Sequence, residues 1–186
     1  GLLLVFLLLR RMKLAWRHAF GVSLKDLFRQ VAYAVTFYIG VMPVVFLAGL
    51  VYAAFLIDIG YPVGADGAQE IVAVFLSPDY PAWLKIYMGV VAITLAPVTE
   101  ELLFRGIALP LLWRYTNTTW AVVIVSTLFA LLHFHIPSLV PLFVIAAAFS
   151  CAYIYSGSIL VPIIMHVLFN SVGIAASILL GRHAAA

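Results

Sequence analysis

The chain has 186 residues, 66% of them hydrophobic and 9% charged, far from the roughly half apolar and one-quarter charged balance of a soluble domain. That composition excludes a water-soluble globular protein, and the length allows one domain. The net charge is only +3, and the single cysteine, Cys151, excludes an internal disulfide and any cysteine-based metal cluster.

Residues 1–9, GLLLVFLLL, are apolar but too few to cross a bilayer, which takes about 20. Positive charge follows them rather than precedes them, which excludes a signal peptide. They read as the end of a helix that starts before residue 1. Six of the ten Lys and Arg residues then fall between positions 10 and 29: Arg10, Arg11, Lys13, Arg17, Lys25 and Arg29. Interleaved with Leu14, Trp16, Phe20, Leu24, Leu27 and Phe28, they predict either a helix lying in the membrane interface or a basic loop, on the cytoplasmic side in both cases. Charges this close to a span argue against nucleic acid as a partner.

Residues 31–57 predict a full span, with Pro43 as a candidate kink. Residues 58–84 are rich in Gly, Pro and acid, and hold Asp58, Asp66, Glu70 and Asp79 without a Lys or Arg. They predict an outside loop with one short helix over 67–76. From 85 to 113 the chain is apolar except for LAPVTEELLFRG at 95–106. TNTTW at 116–120 marks a turn, and further spans are expected over 120–136, 139–155 and 159–181, ended by IPS, SGS and Gly181-Arg182. The predicted fold is an all-α polytopic transmembrane bundle of about five full spans plus the truncated N-terminal one. Residues 1–84 supply the N-terminal segments, and 85–181 the core that carries the polar motifs.

Ionisable groups at the centre of a bilayer cost roughly 2.5–3.5 kcal/mol each on insertion scales, so those that persist pair, line a wet cavity or do chemistry. Glu101 and Arg105 are spaced i, i+4, share a helix face and can form an internal ion pair. Glu100 lies about 100° around the helix and faces something else. FALLH puts Phe129 and His133 on one face of the next helix, and HVLFN does the same for His166 and Asn170. Three apolar helices that each carry a polar group toward a common interior predict a shared functional site. His18, His135 and His183 have ready surface readings.

A carboxylate, two imidazoles and a carboxamide in a mostly dry cavity point to activation of water. Glu100 is the candidate base, with His133 holding or deprotonating the same water. His166 and Asn170, one turn apart, are candidate hydrogen-bond donors to a developing oxyanion. The set reads as an amide hydrolase. No H-E-x-x-H zinc motif or intramembrane Gly-x-Ser-Gly occurs, and GADG at 64–67 falls in the outside loop.

Three motifs in order, Glu100-Glu101-Leu-Leu-Phe-Arg105, Phe129-Ala-Leu-Leu-His133 and His166-Val-Leu-Phe-Asn170, resemble the CPBP family of CAAX proteases and bacteriocin-processing enzymes, in its bacterial branch. The resemblance covers about residues 85–175. It implies an intramembrane endopeptidase related to the type II CAAX prenyl endopeptidases, in which Glu100 and His133 activate water. His166 and Asn170 then form the oxyanion site, with Glu101 and Arg105 in support. It leaves metal dependence open: no cofactor is needed on the glutamate reading, while Glu100, His133 and His166 are the candidate ligands if zinc is used. The implied partners are a peptide or protein substrate, prenylated or not, and membrane lipid; the implied location is a bacterial inner membrane. Rival readings are a non-catalytic immunity or scaffold protein, and a transporter or haem protein using the two histidines.

Overall fold

The computed structural model describes residues 20–22, 24–63, 74–75, 77 and 79–184. The apolar segment 1–9, most of the basic segment and the short helix expected over 67–76 lie largely outside the described residues. Five helices build the bundle: α1 (Leu27–Asp58), α2 (Ala82–Tyr115), α3 (Thr118–Leu131), α4 (Leu139–Ser156) and α5 (Leu160–Ala184). Among the described residues there is no strand.

Among the described residues, four segments are long and apolar enough to cross a membrane: Leu27–Asp58, Ala82–Tyr115, Ile136–Ser156 and Leu160–Leu179. Pro43 sits inside α1 without ending it. The fifth helix is shorter than the expected 120–136 span. At 14 residues, α3 reaches only about 21 Å, against a hydrocarbon core of about 30 Å. It starts on a capped turn, where the Asn117 side chain accepts from the Trp120 N–H at 3.0 Å. It stops because Phe134 adopts a left-handed backbone, φ 49°, and the last turn closes with His133 N–H to Ala130 O (3.3 Å) and Phe134 N–H to Leu131 O (3.1 Å).

The central helix is α4, which packs on α1, α3 and α5. Its buried side chains Leu142, Ile145, Ala146, Phe149, Ser150 and Ala152 meet Ala121, Val125, Phe129 and Ala130 of α3 and Val161 and Met165 of α5 in one core. Small residues let the backbones approach: a Cβ added at Gly49 would meet Pro141 at 3.4 Å. Large apolar side chains such as Phe28, Ile39, Phe46, Ile86 and Leu179 point outward, as the hydrocarbon environment requires. The turn between α4 and α5 uses Gly157 at φ +64°.

The unusual geometry is in α2. Two wide π turns, Val91–Leu95 and Phe104–Ala108, interrupt it, and each occupies the same position relative to a proline, from six to two residues before Pro97 and Pro110. A proline ring inside a helix collides with the carbonyl four residues back; widening the preceding turn relieves that collision. The first wide turn also changes the backbone hydrogen bonds. The Ala96 N–H donates to Val91 O, bypassing Ala92, and the next residue, Pro97, has no N–H. The Ala92 carbonyl is taken instead by the Asn170 side-chain amide at 2.8 Å, which ties α5 to α2.

Asn170→Ala is therefore expected to destabilise the protein by about 1–3 kcal/mol, since it strands a half-buried carbonyl inside a membrane helix. Pro97→Ala, which lets the helix close more regularly, should shrink that loss when the two changes are combined. Unfolding in bicelles for both single variants and the double checks this, and strict additivity would refute the coupling.

Candidate active site

The two adjacent glutamates of α2 point to different surroundings, as their 100° separation predicts. Glu101 is fully buried and receives the Arg105 guanidinium, whose Nη1 lies 2.8 Å from both carboxylate oxygens. Arg105 is also fully buried. Its Nη2 donates to the Ala146 carbonyl at 2.7 Å and its Nε to Ser150 Oγ at 3.3 Å. The guanidinium lies 5.0 Å from the Phe129 ring, 5.3 Å from Phe149 and 5.9 Å from Phe104, a cage that favours a cation.

Glu101 Oε1 also accepts from His166 Nδ1 at 2.8 Å. The carboxylate paired with arginine is an acceptor only, so the proton on this ring nitrogen is assigned to Nδ1. The imidazole stacks on Phe149 at 5.2 Å between ring centres and meets the edge of Phe129 at 5.7 Å. Its other nitrogen, Nε2, lies 3.9 Å from Glu100 Oε2. A continuous line thus runs from Arg105 through Glu101 and His166 to Glu100.

Glu100 lies on the wall of a cavity of about 580 Å³, together with His133, His166 and Asn170. Its side chain is 32% exposed, while its Oε2 is buried and has no hydrogen-bond partner among the described residues. Most of the remaining wall is apolar, with Met88, Val91, Leu142, Ile145, Phe169 and Ile174 among its residues.

His133 stands in the turn just past the end of α3 rather than on the helix itself. The i, i+4 relation survives nevertheless. His133 Nδ1 is 2.7 Å from the Phe129 carbonyl, and the two rings are 4.7 Å apart. A carbonyl only accepts, which assigns the proton to Nδ1 and leaves Nε2 as the lone-pair nitrogen of the neutral ring.

Four of the six candidates, Glu100, Glu101, Arg105 and His166, are joined by contacts between α2 and α5, while Asn170 of α5 and His133, just past α3, line the same cavity as Glu100 and His166. His135, read from sequence as a surface residue, also lines this cavity, with its Nδ1 2.7 Å from Ser138 Oγ. Its spacing of two from His133 was the available signal; the left-handed Phe134 between them was not legible. Among the described residues, no three His, Cys, Asp or Glu side chains converge on one ion position.

Residues 81–172 match the family model of the type II CAAX prenyl endopeptidases, Rce1-like. The matched stretch runs from the start of α2 into α5 and contains all six candidate residues. No curated protein and no solved structure matches the chain.

The buried ion pair yields a prediction. Arg105→Met alone should cost about 3–5 kcal/mol of stability, because it leaves the buried Glu101 carboxylate without its cation, with only the His166 Nδ1 contact remaining. Adding Glu101→Gln should restore much of the stability. Unfolding of both variants in bicelles measures this, and an Arg105→Met protein as stable as the parent would show that the pair does not hold the bundle together.

Proposed function

We propose that this chain, whose residues 81–172 are similar to the type II CAAX prenyl endopeptidases, is an intramembrane endopeptidase in which Glu100 is the general base, and that its substrates are peptides with a prenylated cysteine near the C-terminus. The observation that carries this reading is the buried, unpartnered Glu100 Oε2, 3.9 Å from His166 Nε2, on the wall of a largely apolar cavity.

In this reading a water molecule donates to Glu100 Oε2 and to the lone pair of His133 Nε2. As its oxygen bonds to the scissile carbonyl carbon, its proton passes to Glu100. The carbonyl oxygen becomes an oxyanion. His166 serves it as a donor when both ring nitrogens carry protons, and the Glu101 carboxylate at Nδ1 stabilises that cation, the orienting role an acid plays toward a catalytic imidazole. Asn170 uses one amide hydrogen on the Ala92 carbonyl and has a second for the oxyanion. Glu100 then returns its proton to the leaving amine as the C–N bond breaks. Arg105 holds the Glu101 carboxylate in place through its two 2.8 Å contacts, so it acts through its neighbours rather than on substrate. The apolar wall from Met88 to Ile174 supports an apolar substrate segment, and a bacterial inner membrane fits the distribution of basic residues.

The test is release of the last three residues of a farnesylated CaaX peptide by the protein in liposomes, followed by mass spectrometry. Glu100→Gln is expected to lower the rate at least about 10²–10⁴-fold, the usual contribution of general acid–base catalysis, with unfolding behaviour unchanged. Full activity in Glu100→Gln would remove it as the base; no release by the parent protein would remove prenylated tails as the substrate.

A further inference from the structure

Residues 20–22, ahead of α1, lie under the site at the basic end of the bundle, the end that carries Lys25, Arg29 and Arg114. Phe20 is buried at 4% exposure and packs with Leu102 and Ile159, flanked by Val98 and Ile107 of α2, Tyr153 of α4 and Ile163 of α5. It therefore fills the groove between α2 and the α4–α5 turn. Leu102 adjoins Glu101, and Ile163 is one turn before His166, so the filled groove lies directly beside the Arg105–Glu101–His166 line.

Two further contacts fix this segment, and a third ties the start of α1 to the same α4–α5 turn. The Phe20 carbonyl accepts from the Ile159 N–H at 2.9 Å. Ser158 Oγ donates to Gln30 Oε1 at 3.1 Å, and both groups are buried. Gly21, at φ +63°, approaches Gly157 so closely that a Cβ would fall 1.8 Å from the Gly157 carbonyl oxygen. The Phe20 ring in turn leaves no room for a side chain at Gly106, where an added Cβ would meet Cε1 at 2.7 Å. Gly106 follows Arg105 inside the second wide turn of α2.

We propose that Phe20 is a positioning residue for the catalytic site: its ring seats the wide turn that presents Arg105 and closes the water route from the basic end to Glu101 and His166. A wide turn held by packing has a regular α turn as its nearby alternative, and tightening by one residue would swing Arg105 about 100° around the helix. Phe20 occupies the space that this rearrangement needs. The effect on chemistry rests on the peptidase reading above; the sealing of the groove does not.

Two measurements in liposomes test it. First, a Leu102→Cys, Cys151→Ser protein is exposed to a membrane-impermeant maleimide at its basic end, with and without Phe20→Ala. Labelling at position 102 should rise about tenfold or more on Phe20→Ala and return to the low level with Phe20→Leu. Unchanged labelling overturns the plug whatever the protein cleaves, and a chain that cleaves nothing leaves this measurement intact. Second, for peptide release, Phe20→Ala is expected to lower kcat about 10- to 100-fold, the cost of a misplacement of about 1 Å, with KM nearly unchanged and Phe20→Leu largely restored. A fall through KM alone, or an unaltered kcat, overturns the positioning role. Gly106→Ala guards against simple unfolding: it should impair kcat alone and recover when Phe20→Ala makes room for the methyl group.

Discussion

The bundle depends on one ion pair in a place where ions are costly. Arg105 and Glu101 are both excluded from solvent, and the guanidinium is satisfied by two carboxylate oxygens, a backbone carbonyl and a serine hydroxyl within a cage of three aromatic rings. Such a pair is tolerated only when its hydrogen-bonding capacity is nearly filled, and here the partners come from α2 and α4, with His166 of α5 on Glu101 Oε1, which Arg105 also reaches. The charge therefore sets where three helices sit relative to one another. A lysine could not do the same, since an ammonium lacks the planar fork that reaches carboxylate, carbonyl and hydroxyl together.

The second constraint is local. Pro97 and Pro110 each favour a wide turn just upstream, and the two turns bracket the short stretch Ala96–Leu103 that holds both glutamates. The first turn leaves the Ala92 carbonyl for Asn170; the second carries Arg105. Irregular backbone in a membrane is admissible only where neighbouring groups take up the unbonded carbonyls, and Asn170 does so at 2.8 Å. The residues that make α2 irregular thus also bring α5 into register with it.

Much of this was legible in the sequence. The all-helical membrane fold follows from composition, and the pairing of Glu101 with Arg105, with Glu100 turned elsewhere, follows from helical spacing alone. The spacing of Phe129 and His133 predicted their contact, although the helix ends between them. What escaped had non-local causes. The tie from Asn170 to Ala92 depends on a carbonyl freed by a wide turn, so the carboxamide looked available for chemistry only. His135 joins the cavity because Phe134 reverses the backbone, and nothing about an exposed phenylalanine announces a left-handed conformation. Phe20 looked like one apolar residue among several in a basic segment, because its groove is built by residues from Val98 onward, far along the chain.

The wide turns also bear on how chains of this kind are to be compared. A π turn holds one residue more than the α turn it replaces, so α2 carries two residues beyond what a regular helix with the same ends would need. A one-residue gap inside a membrane helix is ordinarily read as an alignment error. In α2, a gap falling in 91–95 or 104–108 would record a real change of backbone, the loss of a wide turn, and the loss of the upstream or downstream proline would be its expected companion. Insertions and deletions, usually confined to loops, thus have two defined positions within this hydrophobic span.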